Sequence, residues 1–179
     1  MKISVHNMAV GTFVPLMESF VAILEKAMPF AESTGKDLVH AKLAPDMFDV
    51  AQQVQVFSHM ALDCVARLTG EAPVERPEAE TTLAGIKVHV ERTVETIRAV
   101  PAEAFEGAEE RDCTIEMPGG EMVIAFDGLQ FLRLWSLPHF YFHIVTAYDI
   151  LRAEGLQIGK IDFLSKAGYP IRSKEPAST

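Results

Sequence analysis

The sequence predicts an all-α fold, a four-helix bundle with a small β-hairpin between its third and fourth helices. Three observations carry that expectation. Four long stretches repeat apolar residues at alternating spacings of three and four, the signature of one buried helix face. One short stretch between them changes to a period of two. The chain has 179 residues, of which 49% are hydrophobic and 23% charged, the composition of a globular chain able to bury a full core.

The first helical stripe is Val10, Val14, Met17, Val21, Leu24 and Met28. Pro15 lies near its start, so the helix is expected to begin near Thr12 or to kink there, with Gly35 ending the region. The second stripe, Met47, Val50, Val54, Phe57, Ala61, Cys64 and Leu68, follows the spacing without a miss. It predicts a helix from about Pro45 to Thr69, with Pro45 in the first helical position, Asp46 serving the N-terminus and Gly70 as the stop. The third stripe is Leu83, Ile86, Val90, Thr93, Ile97 and Val100, a helix from about Thr82 to Ala99. The link before it, Gly70 to Glu80, is rich in Pro and Glu and reads as an exposed loop.

Next, Glu103 to Asp112 concentrates acidic residues and reads as solvated. Cys113, Ile115 and Met117 then alternate with polar neighbours, Pro118-Gly119-Gly120 makes a turn, and Met122 to Phe126 completes a hairpin. The fourth helix is expected from about Leu129 to Glu154, bent or broken by Pro138. It is apolar nearly all round, which predicts burial on several sides or at an oligomer interface. One domain over residues 1–170 and a disordered tail over 171–179 complete the expected organisation.

Charge narrows the function. Sixteen Lys and Arg against 25 Asp and Glu leave a net charge of −9, which repels phosphate backbones, so no nucleic-acid partner is expected. Two Cys make neither a disulfide framework nor a zinc knuckle. No leader pattern is read at the N-terminus, and the uncharged stretch Leu134 to Tyr148 is shorter than the roughly 20 apolar residues of a membrane span. The expectation is a cytoplasmic protein with no membrane partner. A mean hydropathy of +0.14 hints at apolar surface hidden in a dimer or a cleft.

No catalytic signature of the common kinds appears: no nucleophile elbow, no phosphate loop, no dinucleotide fingerprint, no C-x-x-C. The one constellation is His139 and His143. Their spacing of four puts both rings on one face of the fourth helix, where two imidazoles could hold a divalent metal such as zinc or nickel. A third group would come from helix two, where Gln53 flanks the core stripe and Gln55 lies further round. His59 falls opposite the core, His89 flanks the third stripe, and Cys64 and Cys113 are read as unreactive. The expected site is therefore His139, His143 and Gln53 around one interhelical cavity, with Trp135, Tyr141, Phe142 and Tyr148 as packing or pocket wall.

Three stretches add a resemblance: LAPDMFDVAQQVQ, ARLTGEAP and SLPHFYFHIVTAYDILRAEGLQIGKIDFL. They resemble a bacterial branch of unknown function within the DinB/YfiT-like superfamily, over most of the chain up to Leu164. The resemblance implies a DinB-like bundle, commonly dimeric. It also implies a divalent metal held by one His near the start of helix two and a His-x-x-x-His pair on helix four. His139 and His143 match the pair, while Gln52, Gln53 or Gln55 stands where the helix-two His would be. The branch's pattern more often has Asn at the place of His139, so the resemblance implies drift from a three-histidine site.

Two functional readings follow. One is a DinB-like protein with a degenerate divalent-metal site, metal-dependent if the ion binds. The other is a non-enzymatic, dimeric binding protein with an apolar interhelical pocket for a small molecule.

Overall fold

The computed structural model describes residues 4–117 and 119–169, so the expected tail over 171–179 and Pro118 of the hairpin turn lie outside the described residues. Helix α1 spans Val5–Thr34, α2 Val50–Thr69 and α3 Leu83–Arg98. Two 3-10 turns, Ala102–Phe105 and Ala108–Glu110, lead into strands β1 (Cys113–Glu116) and β2 (Val123–Phe126). The strands pair antiparallel, Cys113 opposite Phe126 and Glu116 opposite Val123. The last helical run is α4 (Gly128–Gln130), a π-helical segment (Phe131–Ser136) and α5 (Leu137–Ala153), followed by short α6 (Lys160–Phe163). The fold is thus mostly helical with one two-stranded hairpin.

Helix α1 lies chiefly against α3, and α2 against α5. An aromatic column ties the layers. Phe13 meets Phe140 edge-on at 4.8 Å, Phe57 meets Phe140 at 5.9 Å, and Phe20 meets Phe57 at 5.3 Å. All four rings are fully buried. Such pairs add about 0.5–1.5 kcal/mol each beyond their area.

Two boundaries differ from the sequence expectation, each for a physical reason. Helix α1 starts at Val5, not near Thr12, because the Ser4 hydroxyl caps it by accepting from the Asn7 amide at 3.1 Å. The helix then runs through Pro15, whose neighbours Phe13, Val14, Leu16 and Met17 are buried; core packing outweighs one missing backbone bond. By length and composition alone α1 is long and apolar enough to cross a bilayer, a test that buried core helices also pass, and half of its most apolar stretch is buried in the bundle.

Helix α2 starts at Val50, not Pro45. Its cap is Asp49 rather than Asp46: the carboxylate accepts from the Gln52 amide at 2.8 Å, and the Asp49 amide donates to the Gln52 side chain at 3.1 Å. This reciprocal pair satisfies two donors at once, which Pro45 and Asp46 cannot match. Residues 43–48 instead form a turn that carries Phe48 onto the flank of α5.

Pro138 does not break the last helix. It sits in the first turn of α5, directly after the π segment, where the Leu137 amide donates five residues back to the Leu132 carbonyl. A proline lacks the amide a helix needs and its ring collides with the carbonyl four residues earlier, and the wider π turn relieves both.

Candidate functional site

The site forms where the start of α2 meets the first two turns of α5. The capping box of Asp49 and Gln52 fixes the backbone at Phe48 and Asp49. One residue on, Gln53 is buried, and its amide nitrogen donates to the Phe48 carbonyl at 3.3 Å. That bond orients the amide, leaving its oxygen facing α5. There the His143 Nδ1–H donates to Gln53 Oε1 at 2.7 Å. Phe48 lies nearly parallel to the His143 ring, centroids 6.3 Å apart, and Phe142 meets it edge-on at 5.1 Å.

His139 is held in the same manner by a different group. Its Nδ1–H donates at 2.7 Å to the carbonyl of Trp135, the residue before the end of the π segment. The Trp135 and His139 rings touch at 4.3 Å between centroids. A carbonyl oxygen only accepts, so each ring carries its proton on Nδ1, and in the neutral ring Nε2 is a bare acceptor. Neither Nε2 has a hydrogen-bond partner among the described residues.

The two rings border one shallow cleft of about 370 Å³, lined by Pro138, His139, Phe142 and His143. The cleft is open and lies on the flank of α5, not enclosed between helices. His143 is held neutral at physiological pH. Burial, then the neighbouring His139 ring and the Arg76 guanidinium, push its pKa down to about 4.

The residues present can be tested against a divalent metal. Two Nε2 atoms with Nδ1 anchored on carbonyl oxygens match the way ligating imidazoles are oriented. A catalytic zinc site needs a third protein ligand. The group facing the pair from α2 is the Gln53 amide, whose oxygen is engaged by His143. Among the described residues no group of three His, Cys, Asp or Glu is placed to hold a metal. The donor set therefore does not fit a three-ligand metal centre.

The other sequence candidates lie elsewhere. His59 donates through Nε2 to the Val74 carbonyl at 2.8 Å and so pins the loop after α2. Gln55 binds the Pro77 carbonyl in the same loop. Burial lowers the pKa of His89, whose Nε2 is buried with no partner. Burial pushes the Cys64 thiol up to about 12, which leaves it unreactive. Sequence reasoning missed Phe48 and Arg76: the first sits beyond the stripe of α2, and the second lies in a loop with no periodicity to place it.

The mostly helical bundle with its one hairpin has a DinB-like fold. The chain is similar to the crystal structure of a DinB family member protein from Shewanella denitrificans, with a TM-score of 0.82 and 30% identity over 94% of this chain and 95% of that one. Residues 5–164 match the model of DUF1993, a domain of unknown function, and the chain belongs to that family. Among curated proteins none gives a significant match.

Proposed function

We propose that this chain is a ligand-binding member of its family and that the cleft on α5 takes a small molecule through the Nε2 atoms of His139 and His143. The observation that carries this reading is the fixed tautomer of both rings. Each Nδ1–H is anchored on a carbonyl oxygen, so in the neutral form of each ring Nε2 is a hydrogen-bond acceptor, and both residues line the one cleft. Pro138 and Phe142 supply apolar walls. A fitting ligand has an aromatic or apolar body and carries N–H or O–H donors. The reading includes no chemical step.

A second reading is favoured by the same anchoring, which orients ligating imidazoles as well as accepting ones. In it a zinc or nickel ion binds the two Nε2 atoms, with water completing its shell.

Imidazole 15N NMR separates the two. Both rings should show the Nδ1–H tautomer. Titration with phenol, a small aromatic donor, should shift the Nε2 resonances of His139 and His143 and leave His6 and His40 unmoved. Stoichiometric shifts with Zn2+ and none with phenol would establish the metal reading instead. Rings found as Nε2–H tautomers would overturn both.

A further inference from the structure

A second cleft, of about 450 Å³, lies between α1 and α3 and shares no lining residue with the one at His139 and His143. Each helix lines it with one stripe at positions i, i+3, i+4 and i+7. Helix α1 supplies Glu18, Val21, Ala22 and Glu25, and α3 supplies Glu91, Val94, Glu95 and Arg98. Short side chains at Val21, Ala22 and Val94 leave the gap between the helices unfilled and give it an apolar floor.

The two ends of this cleft differ in charge. At one end Arg98 Nη2 donates to Glu18 Oε1 at 2.5 Å, and Lys166 lines the wall beside them. The backbone places Lys166 there: its amide donates to the Ser19 hydroxyl at 3.0 Å, and that buried hydroxyl donates to the Pro15 carbonyl at 2.9 Å. Two cations against one carboxylate make this end positive. At the other end Lys87 Nζ is shared between Glu91 at 2.5 Å and Glu25 at 3.6 Å. Glu95, one turn along α3 from Glu91, adds a further carboxylate. Three carboxylates against one cation make this end negative. Glu95 and Lys166 form no ion pair among the described residues. Glu91 and Arg98 stand about 10 Å apart along the helix.

We propose that this cleft binds a small linear zwitterion, a primary amine and a carboxylate joined by a short aliphatic chain. The carboxylate lies between Lys166 and Arg98, the ammonium among Glu25, Glu91 and Glu95, and the methylenes on Val21, Ala22 and Val94. The charge pattern selects this ligand. A diamine would bring one ammonium to the positive end, and a dicarboxylate would bring one carboxylate to the negative end. An α-amino acid holds its two charges too close together to meet both. The cleft also has the size of a small-molecule site. The inference stands apart from the reading of the imidazole pair.

Amide chemical shifts of the full, 15N-labelled chain titrated with 6-aminohexanoate test the proposal. The shifts should saturate and centre on Ala22, Glu95 and Lys166, while the ring resonances of His139 and His143 stay unmoved. Methylenes on the apolar floor and two screened ion pairs put the dissociation constant on the order of 1 mM. Hexylamine and hexanoate each lack one charge and should bind about threefold more weakly or worse. Lys166→Gln should weaken 6-aminohexanoate about threefold and leave hexylamine as it was. Glu95→Gln should weaken both of those and leave hexanoate as it was. Both side chains are exposed, so circular dichroism should show the bundle intact in either variant. The absence of saturable shifts around the cleft, hexylamine binding as tightly as 6-aminohexanoate, or either variant binding 6-aminohexanoate like wild type would each overturn the proposal.

Discussion

The pKa of His143 makes a quantitative demand on stability. In the folded chain it sits near 4, below the ordinary value of 6.5, because the ring is half-buried beside His139 and Arg76. Between those two pH values the unfolded chain holds a proton on this ring that the folded chain does not. Unfolding therefore takes up protons there, and stability falls as the pH falls, by at most about 1.4 kcal/mol per pH unit. Over the whole interval the ceiling is about 3.4 kcal/mol. The ring keeps partial contact with solvent, which screens the effect, so about 1–2 kcal/mol is expected.

His143→Asn isolates this share. The Asn amide can donate to Gln53 from nearly the place of Nδ1 but does not titrate. Urea unfolding of both proteins at pH 7.5 and pH 4 gives four stabilities. The acid loss of the wild type should exceed that of the variant by about 1–2 kcal/mol, with the difference developing between pH 6.5 and 4. Equal losses, or a larger loss in the variant, would refute the argument that His143 is neutral in the fold.

Other parts of the fold give further tests. Asp49→Ala removes the capping box of α2 and should cost about 0.5–2 kcal/mol in urea unfolding, whereas Asp46→Ala, in the preceding turn, should be nearly silent. Gly128→Ala would drive a Cβ into the carbonyl of Ala108, with Leu68 Cδ2 only 3.0 Å away, so thermal unfolding should show a loss of about 1–3 kcal/mol despite the better helix propensity of Ala. Arg67→Met leaves the buried Asp63 carboxylate without its 2.7 Å partner and frees the Thr114 carbonyl, at a cost of about 3–5 kcal/mol, with faster amide exchange in β1 as the local signature.

The stripe of α2 shows what a sequence can reveal about this fold. Val50, Val54, Phe57, Ala61, Cys64 and Leu68 are all buried, as their spacing requires, because a helix with one apolar face has one way to hide it. Gln53 was legible as a polar residue flanking that stripe, and His139 and His143 as neighbours on one face. Their bonding was not. Whether Gln53 Oε1 meets a metal or a ring proton depends on the Phe48 carbonyl that turns the amide, and that carbonyl is placed by a turn with no periodic signal. The start of α2 was misread because Pro45 and Asp46 satisfy the rules for a first turn by themselves. Asp49 wins through reciprocity with Gln52. The exposed side of α5 was equally hidden: an all-apolar sequence does not say which residues the other helices leave uncovered.

The π segment before Pro138 acts as a phase shifter in a gear train. Upstream of it, the hairpin and α4 are in mesh with the end of α2 through Arg67, Leu68 and Ala108; downstream, α5 is in mesh with its beginning through Gln53. Deleting one residue from the π segment would close it to an ordinary turn and rotate everything upstream by about 100° relative to everything downstream. The hairpin end would slip while the His143–Gln53 end stayed engaged. Chains that share this bundle can therefore gain or lose a residue only where a second, compensating change resets the phase. The length of the stretch between Gly128 and Pro138 should accordingly be held more tightly than the identity of any residue in it.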